Sequence, residues 1–410
     1  MAKVRQAQLW LTCTSILVTA GMFAAEPAWI QYGHHGPVAR VITKARECPP
    51  ITIDGVERPM RVHSSPASDY PVTVCEASVA EARTSASIGG QALPVARLNR
   101  SERIAILGDT GCRRKAGSPP QDCNDPTKWP FAAIAASIAE FNPDAVLHVG
   151  DYYYREAASC TATACQGTKY DWTRWNADFF TPAAPLLANA PWVFTRGNHE
   201  ECGRAAEGWV RFLDPRNYVW ENDRTCKSNL MFTPPYTVQV GGLHVAVLDS
   251  SAAKDSDAAQ SAMFAGQLGV VGKETRKGSW LMLHHPIWAV DYNDQVTETL
   301  WNAWSQAGDA TSPLSLVLAG HIHLLEALSY SDNRVPHMIV GNGATALDGP
   351  PSNAQGTTIG GRTVSSFLVD DDFGFIAATR TVSGWTFDIR DTTGKSKTRC
   401  AVTEQAIVCD

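Results

Sequence analysis

Five apolar strands that each stop at an Asp, Asn or His constrain this chain more than any other feature. They are RIAILGD (103–109), DAVLHVGD (144–151), APWVFTRGNHE (190–200), GSWLMLHHP (278–286) and LSLVLAGHIH (314–323). GLHVAVLDSS (242–251) repeats the theme. Strands with no polar alternation are buried on both faces, which requires cover on both sides of a sheet. WPFAAIAASIAEF (129–141) and DWTRWNADFF (171–180) have helical spacing and supply such cover. Strands alternating with helices predict an α/β fold with its polar residues at strand carboxyl ends, where open α/β sheets place their sites. After Glu326 helices are scarce, and EALSYSD, PHMIVGNG, SSFLVD, FGFIAATR and GWTFDIRD read as strands of a second sheet packed across the first.

The flanking segments divide the 410 residues further. Residues 1–25 carry Lys3 and Arg5, an apolar run from Leu9 to Ala24 and small residues at the exit. That is the pattern of a cleaved signal peptide, so a secreted or periplasmic protein is expected. No later segment is long and apolar enough for a membrane span in the mature chain. Residues 26–100 are rich in Val, Thr, Pro, Gly and Ser in short alternating runs, and predict a small β-rich N-terminal module. The stretch SIGGQALPVARLNRSE reads as the linker to a catalytic domain at 101–410. Of 11 cysteines, Cys13 lies in the presumed signal; the other ten, an even number, predict disulfides between successive cysteines, each closing a short loop.

The net charge of -6 comes without a basic block, which argues against nucleic acid as main partner. Nothing in the sequence sets an oligomeric state.

The chemistry is carried by GDTG (108–111), GDYYY (150–154), GNHE (197–200), HHP (284–286) and GHIH (320–323). One Gly-Asp turn is ordinarily only a turn, and one His in an apolar strand is ordinarily a satisfied core residue. Five such motifs at five strand ends are different. Oxygen and imidazole ligands converging from several loops describe a transition-metal site, with room for two ions.

In this order the motifs resemble those of the calcineurin-like metallophosphoesterases. The resemblance implies two mixed β-sheets packed between helices, with a dinuclear site at the strand ends. Most members read GDxH first, and that His is a ligand; here the position is Gly111. One subfamily, the purple acid phosphatases, has GDxG first and a tyrosine three residues after the second aspartate. Tyr154 stands there in this chain. Residues i and i+3 of a turn approach within about 7 Å, so Asp151 and Tyr154 can reach one ion. A phenol is a poor ligand at neutral pH, and a hard trivalent ion such as Fe(III) supplies the charge that holds a phenolate. Tyr152 and Tyr153 are left to packing.

Carried over motif by motif, the resemblance gives one metal Asp109, Tyr154 and His323, and the other Asn198, His284 and His321, with Asp151 bridging. Fe(III) is expected at the Tyr154 site and Fe(II), Zn or Mn at the other. His199 is expected to face the phosphoryl group, as a donor to it or to the leaving group. His285 contacts substrate or packs against Pro286. Glu200 and Arg196 contact substrate or brace their loop. His148 reads as a buried core histidine. Glu326 lies three residues after His323, but HLLE lacks the aromatic residue usual in that subfamily.

The implied activity is hydrolysis of a small phosphate monoester by metal-activated hydroxide. Two other readings fit parts of the sequence: a divalent-metal phosphodiesterase or nucleotidase in which Tyr154 is no ligand, and a secreted binding protein on the same fold. The loops 152–172, 200–235 and 341–362 are expected at the mouth of the site and show no phosphate-clamping run of Lys or Arg.

Overall fold

The computed structural model describes residues 26–115, 118–156, 170–221, 226, 230–290, 297–332 and 334–410. The presumed signal peptide, Cys160 and Cys165 lie outside the described residues.

Period-two alternation within the apolar strands builds the layers. In Arg103–Leu107, Ile104 and Ile106 join a core that also takes Met282, Leu316, Leu318 and Val340 from the other sheet. Ala105 and Leu107 point the opposite way, onto Phe131, Ile134 and Ile138 of the helix Phe131–Phe141. On the far side, Phe264 and Leu268 of Ala258–Glu274 and Leu300 of Glu298–Ala307 cover Leu281, Val317 and Ile339. The result is helix, sheet, sheet, helix: the expected pair of mixed sheets between helices.

Among the described residues the first sheet has 11 strands and the second 8. In the first, Arg103–Leu107, Ala145–His148 and Trp192–Phe194 run parallel side by side, with Ala145 opposite Ile104 and Val146 opposite Trp192. In the second, Leu243–Val247, Ser279–Met282, Leu314–Ala319 and His337–Val340 are parallel neighbours. All five motif-bearing strands therefore end on the same edge of the sandwich. No helix of the described residues is long and apolar enough to cross a membrane.

Three details differ from the sequence reading. The β-rich segment 26–100 does not stand apart. Ala28–Gly33 pairs in parallel with Trp192–Phe194 and so continues the first sheet, while Ile51–Ile53, Val56–Arg58, Ala86–Ile88 and Gln91–Leu93 form a separate small sheet. Buried Arg40 ties the segment to the rest: it donates to Glu76 and, at 2.7 and 2.8 Å, to the carbonyls of Phe212 and Asp214. The stretch read as a linker contains two of those strands, turned at Gly89 and Gly90 with positive φ. Finally, Gly374–Thr381 and Gly384–Asp391 join the first sheet instead of the second. The edge of Arg103–Leu107 would otherwise be bare, and Ile376 and Ala378 complete the inner core.

Cys48–Cys75, Cys112–Cys123, Cys202–Cys226 and Cys400–Cys409 are disulfide-bonded, the sequential pairing expected for these eight.

Deleting residues 26–100 should unfold the remainder, because it strips a hydrogen-bonded neighbour from the strand that leads to Asn198. Circular dichroism and gel filtration of the truncated chain check this; a compact monomer with native far-ultraviolet signal would refute it.

Candidate metal centre

Each strand delivers its last residues to the centre through a tight turn, and the backbone there is strained. Only five non-glycine residues among those described have positive φ, and Asp109 (55°), Asp151 (58°) and His321 (75°) are three of them. Left-handed backbone costs a non-glycine residue free energy and persists where surrounding structure demands it. Here it turns the two carboxylates and one imidazole back toward a common point.

The seven expected ligand side chains meet. The Tyr154 hydroxyl lies 3.1 Å from Asp109 Oδ1, 2.6 Å from Asp151 Oδ2 and 2.8 Å from His323 Nε2. Asp151 Oδ2 is 3.2 Å from His284 Nε2. The Asn198 amide oxygen is 2.9 Å from His284 Nε2 and 3.1 Å from His321 Nδ1. One atom each of Asp109, Asp151 and His284 fall within 4.8 Å of one another, and all three residues are buried. Asp151 touches both groups.

This donor set fits cations. His284 Nδ1 donates to Val149 O at 2.9 Å, which leaves Nε2 as a bare lone pair facing inward. With its amide turned the other way, Asn198 would present a nitrogen to His284, His321 and Asp151 at 2.9, 3.1 and 3.1 Å. An amide has two protons for these three acceptors, whereas one cation serves all of them and the amide oxygen too. Burial, then Asp151 and Asp109, push the Tyr154 phenol well above its ordinary range. Burial and then Asp151 push the Asp109 carboxyl up as well. A bound cation inverts both effects.

The exchange of ligand between GDxH and the tyrosine has a steric basis. A Cβ on Gly111 would lie 2.8 Å from Tyr154 N, Tyr154 Cδ2 and Tyr152 O. The Tyr154 ring thus occupies the space a side chain at 111 would need. Tyr152 points away, donating to Thr195 O at 2.9 Å and stacked near His148 and Trp209. Tyr153 packs against Tyr170 and Trp175.

The residues of undecided role are now placed. Glu200 is fully buried and accepts from the N–H groups of Asp151, Tyr152, Tyr153 and Gly197 at 2.9–3.2 Å, so it braces the GDYYY turn. Arg196 is buried too, donating to Glu200 O at 2.8 Å and Asp249 at 3.3 Å. Neither is aimed at the ligand cluster. His285 Nδ1 meets Ser250 O at 2.7 Å while its ring lies 4.2 Å from that of His321, at the rim of the site. His148 is a buried core histidine, 3.0 Å from Thr110 Oγ1. Glu326 is buried away from the cluster and accepts from Val290 N at 2.8 Å.

His199 stands over the centre. Its N–H donates to Asp151 Oδ1 at 2.8 Å, and its ring lies 3.6 Å from that of Tyr154. Burial holds the imidazole down at about 4, so it is neutral near pH 7.

Sequence reasoning missed four supporting residues. Glu156 lies 3.1 Å from His199 Nδ1 and is gripped by Arg204 through two 2.6 Å hydrogen bonds. Asp348 accepts from His323 N at 3.1 Å and lies 3.4 Å from its Nδ1, the orienting carboxylate common behind ligand histidines. Asp178 accepts from Tyr154 N at 3.0 Å and pairs with Arg155. It sits in a π-helical turn, Asn176–Phe180, of a kind often found at functional sites. Glu156 had a signal, five residues after Asp151. Asp178 and Asp348 had none, since their segments read as a plain helix and a Gly-rich turn.

Comparison with known proteins agrees with this geometry. No curated protein sequence matches the chain. Among solved structures, purple acid phosphatase PPD1 from yellow lupin (Lupinus luteus) seeds superposes with a TM-score of 0.57 at 15% identity, covering 90% of this chain and 72% of that one. PhoD superposes at 0.58 with 13% identity, covering 95% and 93%. At such identities these likenesses speak for the fold alone. Residues 102–325, more than half of the chain, match the sequence model of the calcineurin-like phosphoesterases. The chain therefore belongs to the calcineurin-like phosphoesterase family, whose members are metal-dependent hydrolases of phosphoric esters.

Proposed function

We propose that this protein is an exported phosphomonoesterase of the purple acid phosphatase type, with Fe(III) held at Asp109, Tyr154 and His323 and Fe(II), Zn or Mn at Asn198, His284 and His321. The observation that carries the reading is the Tyr154 hydroxyl, within 3.1 Å of Asp109, Asp151 and His323 in the space Gly111 leaves open. Asp151, in reach of both groups, is the bridge. The disulfides and the N-terminal sequence support export. When bound, the ions supply Lewis acidity toward the phosphoryl oxygens and lower the pKa of water, a trivalent ion more than a divalent one.

The remaining steps belong to side chains. Neutral His199 keeps its Nδ1 proton and donates it in a hydrogen bond to Glu156 at 3.1 Å, while Nε2 lies 4.0 Å from Asp151 Oδ2. The fraction of His199 that takes up a proton from solvent at acid pH carries it on Nε2 and donates it to a phosphoryl oxygen or to the departing alkoxide. Glu156 and Arg204 fix its ring in place. Val149 O holds the His284 ring in its tautomer, and Asp348 stands behind the His323 ring, 3.4 Å from Nδ1.

Three outcomes test this. Tyr154→Phe should abolish the visible absorption of the iron-loaded protein, while Tyr152→Phe and Tyr153→Phe keep it; a colourless wild-type enzyme holding only Zn or Mn would favour the divalent-metal phosphodiesterase reading. Asp348→Ala should cost about 10–100-fold in metal affinity or activity, read by metal titration and kcat/KM. With an aryl phosphate the rate should peak below pH 7 and collapse in Asn198→Ala. A peak above pH 8 would count against Fe(III), and equal activity of Asn198→Ala and wild type would sink the assignment of the centre.

A further inference from the structure

Arg204 sets a guanidinium against the ligand cluster, and its orientation is fixed. Glu156 takes one edge: Nε reaches Oε1 and Nη2 reaches Oε2, each at 2.6 Å. The Glu156 side chain is 9% exposed and that of Arg204 21%, so the arginine is the member of the pair that solvent reaches. A planar guanidinium held by its Nε edge can turn only its Nη1 corner elsewhere. That corner lies against Asn198, donating to its backbone O at 3.1 Å. Nη2 also lies against the His199 ring, 2.7 and 2.9 Å from its two nitrogens. The turn that carries Arg204 is tied down, with Arg204 N donating to Glu201 O at 2.9 Å and Ala205 N to His199 O at 3.1 Å.

At the Nη1 corner the Asn198 amide meets a conflict. To serve a cation, its oxygen faces His284 and His321 at 2.9 and 3.1 Å. Among the described residues its nitrogen then faces only donors, with Arg204 Nη1 at 3.1 Å. Turning the amide over would give Arg204 the oxygen and take it from the cation. Two N–H groups side by side without an acceptor are unfavourable until one joins them, and an anion is the strongest. Once Oδ1 serves the cation, Asn198 Nδ2 and Arg204 Nη1 therefore form a donor pair. The pair stands next to His199, the side chain expected to face the phosphoryl group.

We propose that Arg204 is a substrate-binding residue whose Nη1, paired with Asn198 Nδ2, grips an unesterified oxygen of the phosphoryl group. The inference rests on the phosphomonoesterase reading. It gives Arg204 a contact of its own with substrate, beyond fixing the His199 ring. No bond to the gripped oxygen is made or broken. Water's oxygen forms the new bond to phosphorus, and the ester P–O bond breaks with its electron pair going to the departing alkoxide, which takes a proton. The gripped oxygen stays on phosphorus, so the same donor pair also holds the product, inorganic phosphate.

Inorganic phosphate is the probe, titrated calorimetrically into the metal-loaded protein and used as a competitive inhibitor of aryl phosphate hydrolysis. Arg204→Met should weaken phosphate binding about 10–100-fold, the worth of one hydrogen bond from a charged donor, with metal content unchanged. The same substitution in a His199→Ala background separates gripping from bracing. A further loss of similar size supports direct contact; no further loss means that Arg204 acts only through the His199 ring and overturns the inference. Should Arg204→Met lose its metals, Arg204→Lys takes its place in both backgrounds with the same expected losses, because an ammonium held by Glu156 has no second nitrogen for the phosphoryl oxygen. Wild type that cleaves the aryl phosphate while phosphate affinity is unmoved in the Arg204 variant overturns the inference and leaves the phosphomonoesterase reading standing. Metal-loaded wild type that neither binds phosphate nor cleaves the ester overturns both.

Discussion

Everything at this centre depends on one electrostatic imbalance: seven side chains turn lone pairs toward a buried region that holds too few protons to match them. Two carboxylates, an amide oxygen, a phenol and three imidazole nitrogens converge at separations of about 3 Å. Buried acceptors without donors oppose folding. Cations remove the opposition and tie folding to metal binding. The same imbalance explains the strained backbone at Asp109, Asp151 and His321, since a relaxed turn would let these groups separate.

The scaffold makes that convergence possible. Parallel strands buried on both faces deliver their carboxyl ends to one edge, three from the first sheet and two from the second. Around the edge lies a shell of matched carboxylates and cations. Glu200 collects four backbone N–H groups of two motifs, and Asp178 holds the Tyr154 amide. These groups leave the ligands little freedom, which is what a preorganised site requires. The N-terminal segment contributes by extending the first sheet next to the Asn198 strand.

The convergence of the seven expected side chains was legible because it is local: each residue belongs to a motif of two to five residues at the end of an apolar run. The place of Tyr154 beside Asp109, Asp151 and His323 was legible because Gly111 and Asp151 are informative in the same linear pattern. Glu200 and Arg196 could not be decided that way, because bracing and substrate contact ask for the same residue type. Their burial and backbone partners separate the two. Asp348 and Asp178 reach the centre from segments distant in sequence, so no spacing rule could find them. The crossing of Gly374–Thr381 into the first sheet was hidden for a similar reason, since its partners, Arg103–Leu107 and Gly384–Asp391, are set by packing and strands of either sheet share one apolar pattern.

The sequence by itself determined the α/β layering, the five strand-terminal motifs and the approach of Tyr154 to Asp151, because these follow from periodicity and from turns a few residues long. Tertiary structure alone decided which carboxylate stands behind which histidine, that Glu200 and Arg196 brace, and that Ala28–Gly33 continues the first sheet. Those outcomes depend on which atoms far apart in the chain are brought within hydrogen-bond or ion-pair reach, and only the packing of the two sheets sets that.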